Sequence, residues 1–114
     1  MDQNIEIAVR IKPAPLSTFS PLCIWDSQSI QITDRNLFTF DSLIDSTATQ
    51  DTVFQKVGLR IVSNILDGYN GCIFAYGQTG SGKTFTMTGD SQNEGLVQKC
   101  LKKLWNCVKN SDFF

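Results

Sequence analysis

Eight consecutive residues, Gly77-Gln78-Thr79-Gly80-Ser81-Gly82-Lys83-Thr84, combine three glycines, one cation and three hydroxyls. They match the spacing GxxxxGK[ST] of a phosphate-binding loop. Successive backbone N–H groups converge on a polyphosphate only if the chain curls tightly, and glycine permits the dihedrals and the close approach. A helix starting at the end of such a loop adds unpartnered N–H groups and a positive dipole end. Lys83 supplies a full charge for the β- and γ-phosphates. The Thr84 hydroxyl supplies an oxygen ligand for Mg²⁺, which prefers octahedral oxygen coordination. A glycine-rich turn before a helix is the plainer reading of the same residues. The context favours the phosphate reading: Cys72–Tyr76 reads as a short, wholly apolar strand, and a helical start follows Lys83.

The elements around the loop are readable from periodicity. Ile5, Ile7, Val9 and Ile11 alternate with other residues, which predicts a strand that Pro13 and Pro15 end. Cys23-Ile24-Trp25 and Ile30-Gln31-Ile32 read as short strands joined by the polar turn 26–29, and Leu37–Asp41 as one more strand. Thr47 and Gln50 fit a capping box, followed by apolar residues from Val53 to Leu66 at helical spacing. Gly68 stands where a left-handed residue commonly ends a helix. Leu96, Val97, Cys100, Leu101, Leu104, Trp105 and Val108 mark a second amphipathic helix. Its lysines, Lys99, Lys102, Lys103 and Lys109, read as a solvated face.

Bulk properties narrow the function classes. A chain of 114 residues suits one domain. A net charge of −1 and the lack of a basic block give no electrostatic footprint for nucleic acid or anionic membrane. Met1–Asn4 does not open like a signal peptide, and no apolar run nears the roughly 20 residues of a membrane span. The four cysteines form no CxxC and there is no histidine. Common zinc patterns and Ser-His or Cys-His catalysis are therefore ruled out. Free thiols in a reducing compartment are the expectation.

The segment GYNGCIFAYGQTGSGKTFTMTG (Gly68–Gly89) resembles the phosphate loop of the kinesin motor domain together with its leading strand and following helix. Other segments agree in order. IAVRIKP (Ile7–Pro13) is similar to the family's first strand and its Arg-x-Arg-Pro ending, with Lys12 for the second arginine. FTFDSLID resembles the second strand and TQDTVFQKV the start of the first helix. EGLVQKCLKKLW is similar to the segment after the family's helix-interrupting loop, although proline usually stands where this chain has Gln98. The short stretch Gly89–Gly95 would be that loop. IWDSQSIQI…LFTFD and FTMTG resemble centromere-associated or spindle members.

The resemblance implies an α/β, three-layer P-loop NTPase fold of the kinesin motor type, incomplete in this chain: a central, mostly parallel sheet flanked by helices. It implies Mg²⁺ and ATP or ADP as ligands, with Gly77–Thr84 around the phosphates. Arg10, Lys12 and Pro13 would flank the adenine, and Phe85 would lie near the base. Without the resemblance, Arg10 and Lys12 read as solvated charges and Phe85 as core packing. It implies microtubules as the partner of the parent motor, placing it in the cytoplasm on the cytoskeleton. It covers nearly all of residues 1–114, yet only roughly the first third of a motor domain. The two later segments that sense the γ-phosphate, of the patterns Asn-x-x-Ser-Ser-Arg-Ser-His and Asp-Leu-Ala-Gly, do not occur in these residues. Three readings follow: the N-terminal piece of a motor that stops before both switch segments, a non-catalytic nucleotide-binding module derived from one, or an unrelated small phosphate-loop kinase. The first is the expectation.

Overall fold

The computed structural model describes residues 5–13, 22–24, 26–32 and 36–110. They fall into two compact units, 1–48 and 49–114. Among the described residues, the named elements of the first unit are strands. Its parallel pair joins β1 (Ala8–Arg10) to β5 (Ser42–Ile44), with Ala8 opposite Ser42 and Arg10 opposite Ile44. The second sheet is antiparallel, in the order β2 (Leu22–Ile24), β3 (Ser29–Ile32), β4 (Asn36–Thr39). The Asp26 carboxylate accepts from the N–H groups of Gln28 and Ser29, each at 2.8 Å, and so forms the turn between β2 and β3. Among the described residues of this unit, Leu43 and Ile44 of β5 and Ile30 of β3 are the buried apolar ones.

Two expectations change in this unit. The strand read over Ile5–Ile11 shortens to three residues, and Ile5 and Ile7 stay exposed. The run read as Leu37–Asp41 ends earlier, and a separate strand follows it at Ser42–Ile44. The reason lies at Asp41. Its Oδ2 accepts from the Ile7 N–H at 2.7 Å, and its own N–H donates to the Ile7 carbonyl at 3.0 Å. The chain therefore turns between β4 and β5 while Asp41 docks the start of β1. Cys23 is in β2, whereas Trp25 lies outside the described residues.

The second unit is helical. α1 (Gln50–Val53) runs through a π-helical turn (Phe54–Gly58) into α2 (Leu59–Leu66). Gly58 leaves no room for a side chain: an added Cβ would stand 2.5 Å from the Phe54 ring and 3.1 Å from the Cys100 sulfur. Burial pushes the Cys100 thiol up, so it stays protonated and acts as a small apolar filler. The helix ends as expected at Gly68, whose φ is +95°. Its N–H donates to the Ile65 carbonyl at 3.0 Å, and the Tyr69 N–H to Asn64 at 2.9 Å. The cap at the other end is not Thr47. Thr49 caps α1, its hydroxyl accepting from the Thr52 N–H at 3.3 Å, while the Thr47 hydroxyl donates to Asp45 at 2.6 Å. α3 (Lys83–Met87) and α4 (Leu96–Lys109) complete the unit, with α4 packed on the π-helical turn and α2. Val53, Val62 and Leu96 form its dry centre.

The loop between α3 and α4 is tightly closed. Gly89 bridges Glu94, and Asp90 Oδ1 accepts from the N–H groups of Gln92 (2.9 Å) and Asn93 (2.8 Å). Those backbone bonds hold the Asp90 carboxyl below its ordinary range. A group with a depressed pKa stabilises the fold above its unfolded pKa and loses that contribution as pH falls through the folded value. The contribution of those bonds is therefore lost as pH falls into the acid range. Two of the four α4 lysines are ion-paired rather than simply solvated: Lys99 to Asp51 and Lys102 to Glu94.

Cys72–Tyr76, read as a buried strand, belongs to neither sheet. Among the described residues, the unit that contains it has no named strand. Phe74 is 88% and Tyr76 101% exposed, and Leu101 and Trp105 leave a further apolar stripe on α4. Such surface favours association. Purified 1–114 is expected to bind a hydrophobic dye strongly and to elute as soluble aggregate. A monomer with one sharp thermal transition and no dye binding would refute this.

Candidate functional site

The loop begins where the apolar run ends. Gly77 and Ser81 approach so closely that a Cβ on Gly77 would lie 2.5 Å from the Ser81 hydroxyl oxygen. The Ser81 N–H donates to the Gln78 carbonyl at 3.1 Å, which closes the turn. Gly80 and Gly82 then take left-handed dihedrals, φ +81° and +104°. A side chain is strained at such φ whatever the space around it, so these two positions need glycine. Gly82 is also the N-cap of α3, and no side chain caps the helix there. Thr79, Gly80, Gly82, Lys83, Thr84 and Phe85 line an open cavity of about 350 Å³.

Lys83 and Thr84 are the first two residues of α3. The Lys83 ammonium is half-buried and donates to the Gly77 carbonyl, so the cation lies across the loop it serves. An ammonium carries three donors, and that bond uses one. The Thr84 side chain is exposed, and its carbonyl closes the helix by accepting from the Thr88 N–H (2.8 Å) and hydroxyl (3.0 Å). A polyphosphate fits this arrangement: a left-handed glycine cradle, one ammonium, one hydroxyl and an open cavity between them. Among the described residues no group of three acidic, cysteine or histidine side chains is placed to hold a metal. A hydroxyl such as that of Thr84, acting with phosphate oxygens, is the kind of ligand set Mg²⁺ takes.

The remaining expected residues divide. Phe85 borders the cavity and is 37% exposed, so it is not core. Arg10 ends β1 in the other unit, its guanidinium pKa lowered by burial, and Lys12 and Pro13 follow it, both exposed. Two residues at the site escaped the sequence reading. Gln50 is buried, and its Nε2 donates to the Phe85 carbonyl at 2.7 Å. Gln98 donates from Nε2 to the Thr88 carbonyl at 2.7 Å and accepts from the Gly95 N–H at 3.2 Å. The available signals were a polar residue leading an apolar helix face and a departure from the resembled pattern at Gln98.

The kinesin motor domain family model matches residues 19–113. The chain belongs to the kinesin motor-domain family. It is 37% identical over 107 residues to kinesin-like protein KIP2 of Eremothecium gossypii, covering 94% of this chain and 16% of that protein. To kinesin-like protein Klp68D of Drosophila melanogaster it is 43% identical over 83 residues, 70% of this chain and 11% of the relative. The kinesin heavy chain of Strongylocentrotus purpuratus is 37% identical over 116 residues, 96% of this chain and 11% of the relative. Among solved structures, a fast kinesin matches with a TM-score of 0.87 at 26% identity, covering 96% of this chain and 34% of the other. That structure is described with implications for ATPase mechanism and microtubule interactions. The fold is thus part of the kinesin motor fold, as the resemblance implied, and an unrelated small kinase is not favoured. This kinesin-family chain spans about a sixth or less of the length of these curated relatives and about a third of the solved motor.

Proposed function

We propose that residues 1–114 are the N-terminal, Mg-ATP-binding part of a kinesin motor domain whose two switch segments follow it in the parent protein. The observation that carries this is the Gly77–Thr84 cradle, with left-handed Gly80 and Gly82 leading into Lys83 and Thr84, in a chain of the kinesin motor-domain family. In the parent motor, ATP hydrolysis drives movement along microtubules, in the cytoplasm and on the cytoskeleton. Movement in the spindle is the narrower form of this reading, supported by the segments around Trp25 and Phe38.

The chain's own residues bind and orient. The loop backbone from Gly77 to Gly82 surrounds the phosphate chain, Lys83 places a cation beside the β- and γ-oxygens, and Thr84 offers its hydroxyl to the metal. Mg²⁺ held by Thr84 would supply charge neutralisation at the β- and γ-phosphates. By the family resemblance, Phe85, at the cavity rim, would lie near the base, and Arg10, Lys12 and Pro13 would flank the adenine. Nothing in this set binds the transition state more tightly than the ground state, so it supplies affinity rather than rate. Phosphate release measured with and without microtubules, for 1–114 and for a form extended through both switch patterns, tests the reading. Stimulated release by the extended form alone supports it.

A further inference from the structure

α3 has five residues, too few to repay helix nucleation without outside support. Lys83 and Thr84 are its first two residues, so whatever holds α3 also sets their position. Two backbone carbonyls, that of Phe85 within α3 and that of Thr88 just past its end, accept from side chains of other helices. Two glutamine amides meet them. Gln50 Nε2 donates to the Phe85 carbonyl and Gln98 Nε2 to the Thr88 carbonyl, both at 2.7 Å. Gln50 is 8% exposed, the buried polar side chain among the described residues. An amide buried there is costly unless it is bonded, so the native geometry depends on that bond. It also starts α1 directly after the Thr49 cap, a rigid base for the reach to α3. Gln98 is anchored from behind as well, its Oε1 accepting from the Gly95 N–H at the start of α4. The Gln98 amide thus spans from one end of the α3–α4 loop to the other.

We propose that Gln50 and Gln98 are positioning residues for nucleotide binding. Together they tie the Phe85 carbonyl of α3 to α1 and the carbonyl of its C-cap, Thr88, to α4, and so hold Lys83 and Thr84 in register with the phosphate cradle. This rests on the phosphate reading of the loop. The clamp touches neither phosphate nor metal; it acts through the helix that carries the groups that do.

The test uses the full-length protein, a fluorescent ATP analogue with Mg²⁺, and thermal melting of each variant. Gln50→Met keeps the volume and removes the donor. Gln98→Ala removes both bonds of an only partly buried side chain, and Gln98→Glu keeps the acceptor for Gly95 while losing the donor to Thr88. Each is expected to weaken analogue binding about five- to tenfold, the scale of one lost hydrogen bond. In turnover assays KM should rise more than kcat falls. The Gln98 variants should melt near the wild-type temperature, so their lost affinity cannot be ascribed to unfolding. If Gln50→Met does not fold, the two Gln98 variants decide. Wild-type affinity in both of those, or in a folded Gln50→Met, overturns the clamp and leaves the phosphate reading intact. Failure of the wild type to bind the analogue overturns the phosphate reading, and the clamp with it.

Discussion

Lys83→Ala is expected to abolish measurable Mg-ATP binding, with affinity falling about 100-fold or more. A charged donor bonded to phosphate is worth roughly twice a neutral one, and it is the one cation in the loop. The change also removes the bond from the ammonium to the Gly77 carbonyl, which ties the end of the loop to its beginning. Loss of charge and loss of loop closure act in the same direction. Lys103→Ala is the matched control: it removes the same charge from an exposed position on α4. Titration calorimetry on the full-length protein should show heat of binding for the wild type and for Lys103→Ala, and none for Lys83→Ala. Equal loss in both lysine variants would mean that binding is nonspecific charge attraction, and the cradle would lose its assignment. ADP should bind to 1–114 almost as well as ATP, because no group in these residues stands out as a γ-phosphate sensor.

The second large effect concerns turnover. Phosphoryl transfer is mostly positioning and charge stabilisation, and only interactions that strengthen in the transition state lower the barrier. The loop, Lys83 and Thr84 meet charges already present in bound ATP. A water-orienting residue or a further arginine is typically worth ~10³–10⁵ in rate. Asp41, Asp45, Asp51, Asp67 and Asp90 are the carboxylates to consider, and none ends an apolar strand before a glycine. Four of them have structural work: Asp41 docks Ile7, Asp45 takes the Thr47 hydroxyl, Asp51 pairs with Lys99, and Asp90 shapes its loop. Residues 1–114 are therefore expected to release phosphate at background rate whether or not microtubules are present. The form extended through both switch patterns is expected to be stimulated by them, by a factor in that same range. Stimulated turnover by 1–114 alone, lost on Lys83→Ala, would overturn the fragment reading and require a catalytic carboxylate within these residues.

Local chemistry determined much of this protein. The glycine spacing and the Lys83-Thr84 pair fix a left-handed loop leading into a helix because left-handed dihedrals and bare backbone are properties of single residues. The Gly68 stop, the helical stripe from Val53 to Leu66 and the α4 stripe were legible for the same reason, since each depends on neighbours three or four residues away. The run of family-like segments was legible because order along a chain is itself sequence. Pairings between distant residues were not. Ser42–Ile44 is a strand only because Ala8–Arg10 lies beside it, and three residues carry no period of their own. Cys72–Tyr76 has the composition of a central strand, yet composition cannot supply the neighbour that a ladder requires. Thr47 and Thr49 offer the same hydroxyl, and Asp45 decided between them by taking Thr47. Gln50 and Gln98 stand 35 and 10 residues from the carbonyls they hold. Nothing near either glutamine in the chain reveals that bond; it exists because packing brings α1 and α4 to α3 and its C-cap.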